Sequence, residues 1–124
     1  MIKVLFIEDD PDQVFMYESV FRIRGILLMS AYDCKHAMDM SIMDKPDLIL
    51  IDILLRSENG MDILKELKSN EKTKDIPMII FTNFDKEELR KEAKELGAID
   101  YVVKSETVPD EVAEKIKNIL GKKN

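Results

Sequence analysis

The sequence predicts an α/β fold, a five-stranded parallel sheet with five helices on both faces. Three observations lead to it. Short, purely apolar runs alternate with longer stretches whose apolar residues recur at helical spacing. The alternation continues from end to end with no repeat, linker or low-complexity segment. Capping residues, prolines and glycines fall at the borders between the two patterns.

The elements follow in order. Val4-Leu5-Phe6-Ile7 is the first apolar run, in a strand-like segment that begins at Ile2. Asp10-Pro11-Asp12-Gln13 then places a capping acid before a proline at the first helical position, and Gln13 stands at capping-box spacing from Asp10. The helix so opened carries Val14, Tyr17 and Phe21, and Gly25 closes it. Ile26-Leu27-Leu28-Met29 is the second run, and Cys34 to Met43 a weaker helical pattern with Ala37, Met40 and Ile42 apolar. Pro46 precedes the third run, Leu48-Ile49-Leu50-Ile51, and Met61, Leu64 and Leu67 stripe the helix after it. Pro77 precedes the fourth run, Met78-Ile79-Ile80-Phe81. Leu89, Ala93 and Leu96 form the next stripe, ended by Gly97. Tyr101-Val102-Val103 is the last run, and Val112, Ile116 and Ile119 stripe a final helix ended by Gly121. Methionines in these stripes read as core. Wholly apolar strands suit a sheet covered on both faces. Sequential strand-helix units imply parallel pairing, in the flavodoxin-like, doubly wound order 2-1-3-4-5.

Composition narrows the function. The 124 residues fit one domain, 1–124, with no room for an output domain. A net charge of −6 and a basic cluster no larger than Lys122 and Lys123 exclude a direct nucleic-acid footprint. No apolar run approaches the ~18 residues of a membrane span, so the expected location is cytoplasmic. The single cysteine, Cys34, reads as a reduced thiol, and the single histidine, His36, as an ordinary exposed residue.

The chemistry lies where the strands end. The first strand runs into Glu8-Asp9-Asp10, the third into Asp52, the fourth into Thr82 and the fifth into Lys104. In a parallel sheet these ends share one rim, and ligands bind there beside the point where the strand order reverses. Clustered carboxylates repel one another, and a divalent cation relieves the repulsion. Magnesium suits an all-oxygen site, whereas zinc would ask for histidine or cysteine. A carboxylate can act as nucleophile and become an aspartyl phosphate, with a cation and a hydroxyl steadying the transferring group. Lys104 and Thr82 supply those two groups. Taken singly, Thr82 is an ordinary strand-end residue, Lys104 a surface charge and Asp10 a helix cap.

These residues resemble the receiver domain of two-component response regulators. The resemblance spans nearly the whole chain and rests on Val4 to Pro11, Asp47 to Asp52, Asn59-Gly60, Ile76 to Thr82 and Gly97 to Lys104, in that order and spacing. It implies that Asp52 is the phospho-acceptor. It implies metal binding by Glu8 (through water), Asp9, Asp52 and the backbone carbonyl of Leu54, with Mg2+ as the ion and Mn2+ as the alternative. Thr82 matches the switch hydroxyl, Lys104 the phosphoryl-pairing lysine, and Tyr101 the aromatic that changes rotamer on activation; the plainer reading of Tyr101 is a half-buried strand aromatic. The implied partners are a histidine kinase or phosphotransfer protein upstream and a protein target at the helix 4–strand 5–helix 5 face. The implied assembly is a monomer or a phosphorylation-dependent dimer.

Two departures stand out. Ser105 follows Lys104 where the family usually has a proline in cis, which leaves a trans or a strained cis bond open, since cis costs ~2.5–4 kcal/mol at a non-proline residue. Arg56 stands where a loop proline is common. Bulky Leu54 and Phe84, two residues past Asp52 and Thr82, suggest slow loss of the phosphoryl group. An interaction module of the same fold that signals without phosphate is the alternative. A flavin-binding relative would need a Gly/Ser/Thr-rich cradle after the first strand. A haloacid-type phosphatase would need its nucleophile where Glu8 stands.

Overall fold

The central apolar runs become strands covered on both faces, while the edge strands Ile26–Ala31 and Asp100–Val103 are covered only in part. Every residue of Leu48–Ile51 and Met78–Thr82 is buried. The computed structural model describes residues 1–121, so Lys122 and Lys123 lie outside the described residues. The elements are β1 (Ile2–Ile7), α1 (Pro11–Ile23), β2 (Ile26–Ala31), α2 (Cys34–Asp44), β3 (Leu48–Ile51), α3 (Gly60–Ser69), β4 (Met78–Thr82), α4 (Glu87–Leu96), β5 (Asp100–Val103) and α5 (Pro109–Ile119). The sheet order is β2-β1-β3-β4-β5, with every neighbouring pair parallel.

Strand alternation divides the interior into two cores. Val4, Phe6, Leu48, Leu50, Ile79 and Phe81 face α1 and α5, where Tyr17, Phe21, Val112, Ala113 and Ile116 cover them. Leu5, Ile7, Ile49, Ile51, Met78 and Ile80 face α2, α3 and α4, under Ala37, Met61, Leu64, Leu67 and Ala93. Gly25, Gly97 and Gly121 all sit at positive φ, as helix-closing glycines do.

Three details depart from the sequence reading. In α2 the buried positions are Ala37 and Ser41, with Met38 and Met40 packed beside them. Ile42 is only half-buried, because it lies off the narrow stripe that meets the sheet. Ile119 is 38% exposed at the last residue of α5, whereas Leu120 next to it packs against the core. A short 3-10 turn, Lys104–Glu106, follows β5 with no break from the strand.

The topology sets the site. The chain leaves β1 for β2 on one side and returns to β3 on the other, so the reversal falls between β1 and β3. Their register pairs Ile7 with Ile51, which brings Glu8 and Asp52 out side by side. On the far side Thr82 pairs with Val103, so Lys104 emerges next to Thr82.

Candidate functional site

Backbone hydrogen bonds extend the sheet one step past the strands and fix the rim. Glu8 N–H donates to the Ala31 carbonyl at 3.0 Å, and Asp52 N–H donates to the Ile7 carbonyl at 3.1 Å. Beyond Asp52 the chain turns in a loop closed by a bridge between Leu54 and Asn59. Asn59 caps α3 through its Oδ1, which accepts from Met61 N–H at 2.8 Å. Gly60 then lies against the backbone of Asp52: a Cβ there would stand 1.9 Å from the Asp52 carbonyl oxygen.

Glu8, Asp9, Asp52, Leu54, Thr82 and Lys104 all line one cleft of about 400 Å³. Lys104 is its centre. The ammonium is buried and donates to Glu8 Oε1 at 2.6 Å, Gln13 Oε1 at 2.6 Å and Asp52 Oδ2 at 2.9 Å. It also lies over the rings of Phe6 and Phe81, 5.6 and 5.7 Å from their centroids. The other carboxylate oxygen of Asp52, Oδ1, accepts from Leu54 N–H at 3.2 Å. Asp9, half-exposed, accepts from Arg56 N–H at 2.7 Å through Oδ2.

The two buried acids are held differently. Burial, reinforced by the Asp52 carboxylate, pushes Glu8 up to about 7 from an ordinary 4.5, against the pull of Lys104. Burial also pushes Asp52 upward. Its hydrogen bonding with Glu8 and with Lys104, together with the lysine's charge, outweighs that and holds it below the usual carboxylate range. One acid therefore stores a proton near neutrality while its neighbour stays an anion fit to act as nucleophile.

Thr82 and Tyr101 are joined through one loop residue. Thr82 is fully buried, and its Oγ1 accepts from Phe84 N–H at 3.2 Å. The Tyr101 hydroxyl donates to the Phe84 carbonyl, and the half-exposed Tyr101 ring carries the Arg90 guanidinium 5.0 Å from its centroid. Ser105 answers the question about its peptide bond. Among the described residues no peptide bond is cis, so Lys104–Ser105 is trans. The N–H that a proline would lack donates to Asn83 Oδ1 at 2.7 Å and ties the β5 loop to the β4 loop.

One assignment changes. Gln13 does not complete a capping box. The Asp10 N–H it would have reached donates instead to Glu8 Oε2 at 3.1 Å, and the Gln13 side chain goes to Lys104. Asp10 itself caps α1 by accepting from Asp12 N–H at 3.0 Å. The sequence reading placed none of Asp10, Arg56, Gln13 and Asn83 in the cleft, and the last two make side-chain contacts to Lys104 and Ser105. No local pattern marks these two, because their partners lie 91 and 22 residues away.

Among the described residues no three carboxylate, histidine or cysteine side chains converge on a single metal position. Glu8 and Asp52 turn to the lysine, and Asp9 turns to the Arg56 amide. The donor chemistry nevertheless fits a hard divalent cation: the acids Glu8, Asp9, Asp10 and Asp52 all line one cleft, with the cysteine and histidine both elsewhere.

A doubly wound sheet with an acid pair after β1, an aspartate after β3 and a lysine after β5 defines a signalling receiver. The chain matches the response regulator receiver domain over residues 4–117 and belongs to that family. Sporulation initiation phosphotransferase F of Bacillus subtilis is 29% identical over 122 residues, 98% of this chain and 96% of that protein. The transcriptional regulatory protein CpxR of Escherichia coli is 33% identical over 104 residues; the match takes in 84% of this chain and 43% of CpxR, so the chain spans less than half of that relative. A two-component response regulator from Clostridium difficile superposes with a TM-score of 0.88 at 25% identity, covering 98% of this chain and 97% of that one.

Proposed function

We propose that this receiver is activated by phosphorylation at Asp52, with a histidine kinase, a phosphotransfer protein or a small acyl phosphate as donor. The observation that carries the reading is the buried ammonium of Lys104, 2.9 Å from Asp52 Oδ2. The Leu54 amide holds Oδ1 and Lys104 holds Oδ2, which together fix the plane of the carboxylate. As a carboxylate oxygen of Asp52 bonds to phosphorus, the donor's leaving group departs, an imidazole from a phosphohistidine or a carboxylate from an acyl phosphate, and Lys104 transfers its hydrogen bond to a phosphoryl oxygen and neutralises it. Thr82 offers its hydroxyl to a second phosphoryl oxygen.

Receiver domains generally bind a divalent metal. Here Asp9, Asp52 and the Leu54 carbonyl would hold it, with Glu8 acting through water, and Mg2+ fits this oxygen set best, ahead of Mn2+. When bound it supplies charge neutralisation at the transferring group. Movement of Thr82 would be felt by Tyr101 through their shared neighbour Phe84. The output then lies on the α4–β5–α5 face, where Arg90, Lys94, Ile99 and Tyr101 line a cleft of about 300 Å³ suited to a protein target. Among the described residues no helix is long and apolar enough to cross a membrane, which supports a cytoplasmic site of action.

The test is intact mass after incubation with magnesium and acetyl phosphate. One added phosphoryl group is expected, removed by hydroxylamine and absent from Asp52→Asn. A folded, magnesium-supplied protein that gains no mass would instead be an interaction module signalling by contact alone.

A further inference from the structure

We infer that Gln13 is a positioning residue for phosphoryl transfer, the non-ionisable acceptor that keeps Lys104 aimed at Asp52. The inference rests on the reading of Asp52 as phospho-acceptor. An ammonium has three N–H donors, and all three are used here: two on the carboxylates of Glu8 and Asp52, the third on Gln13 Oε1 at 2.6 Å. The Gln13 carbonyl is the only one of the three acceptors that cannot ionise. Phosphorylation converts the Asp52 carboxylate to an acyl phosphate, and a divalent cation would draw on Glu8. Both ionisable acceptors therefore change in the course of the reaction, and Gln13 does not.

The local structure frees Gln13 for this task. It is the third residue of α1, where a glutamine ordinarily reaches back to the cap amide. That amide is already bonded to Glu8 Oε2. The side chain thus ties the amino end of α1 to the residue that follows β5. Without it the flexible four-carbon stem of Lys104 keeps only acceptors whose charge varies, and the ammonium is no longer held in one place before transfer.

Gln13→Met tests the idea, since it keeps length and helix propensity and removes the acceptor oxygen. The chain's phosphorylation rate by acetyl phosphate is measured against both donor and magnesium concentration. The expected result is a maximal rate constant lower by on the order of tenfold, the scale of one lost charge-assisted hydrogen bond, with half-saturating magnesium unchanged. The second readout needs no reaction: the 1H–15N signal of the Lys104 ammonium. Held by three acceptors, it should be sharp in the native chain, broadened in Gln13→Met and retained in Gln13→Glu, which keeps an acceptor oxygen. A native chain that takes no phosphate overturns the reading of Asp52 itself. A native chain that takes phosphate, with Gln13→Met equal to it in rate and in ammonium signal, overturns the role of Gln13 alone. So does an ammonium signal lost in Gln13→Glu.

Discussion

At the scale of single residues the cleft is controlled by what surrounds the acid rather than by the acid alone. Lys104 lies on the Phe6 and Phe81 rings and under three oxygen acceptors, so its charge is fixed in a place where water screens it little. Two bulky apolar side chains, Leu54 and Phe84, follow Asp52 and Thr82 beside a cleft lined mostly by polar residues. Leu54 is 59% exposed at the mouth, and Phe84 is half-buried, with Lys86 over its ring at 5.2 Å. Neither offers a group to orient the attacking water, so the phosphoryl group on Asp52 should be long-lived. Leu54→Asn or Phe84→Asn should speed its loss several-fold, read from the decay of the phosphorylated mass after the donor is removed. Unchanged decay in both variants would show that these side chains do not limit hydrolysis. The acids, Thr82 and Lys104 were legible in the sequence because each directly follows an apolar run. Gln13 was not, because its partner comes from the other end of the chain.

At the scale of elements, legibility followed burial. The strands were plain because β3 and β4 admit no polar side chain before Thr82. The helix α2 was faint because the positions it buries are an alanine and a serine, which leave little apolar periodicity to read. The 3-10 turn after β5 has no periodic signature at three residues. The junction of β3 and α3 was recognisable only as an Asn-Gly pair, yet it is the tightest point near the acceptor. Gly60 is needed there for space and not for its backbone angles, since its Cβ position is filled by the Asp52 carbonyl. Gly60→Ala must therefore push α3 away from the acceptor's own backbone. The expected cost is about 3 kcal/mol, which lowers the melting temperature by roughly 10 °C in a domain of this size. Phosphorylation should slow as well, because the displaced backbone carries Asp52. A melting temperature within about 2 °C of the native value would mean that α3 yields without strain.

At the scale of the whole molecule, a sheet with two apolar cores supports a rim that is itself unfavourable to fold. Glu8 and Asp52 are both buried beside a single lysine, so the buried trio carries an excess negative charge when both acids are ionised. The fold answers by keeping a proton on Glu8 up to about pH 7, whereas the unfolded chain releases it near the ordinary 4.5. Between those values the native state binds a proton that the unfolded state has lost, so stability falls as pH rises through the window. Asp52 works in the opposite sense, but its depressed carboxyl titrates below the ordinary 3.8, outside that window. Thermal melts of the metal-free protein from about pH 5 to about pH 7.5 should therefore show a declining melting temperature, and Glu8→Gln, which has no proton to lose, should flatten the decline. Magnesium competes with that proton for the same acids, so it should stabilise the native chain more at the upper end of the range than at the lower. Parallel slopes for the native chain and Glu8→Gln would place the extra proton on another group and remove the assignment of Glu8 as the protonated partner of Asp52.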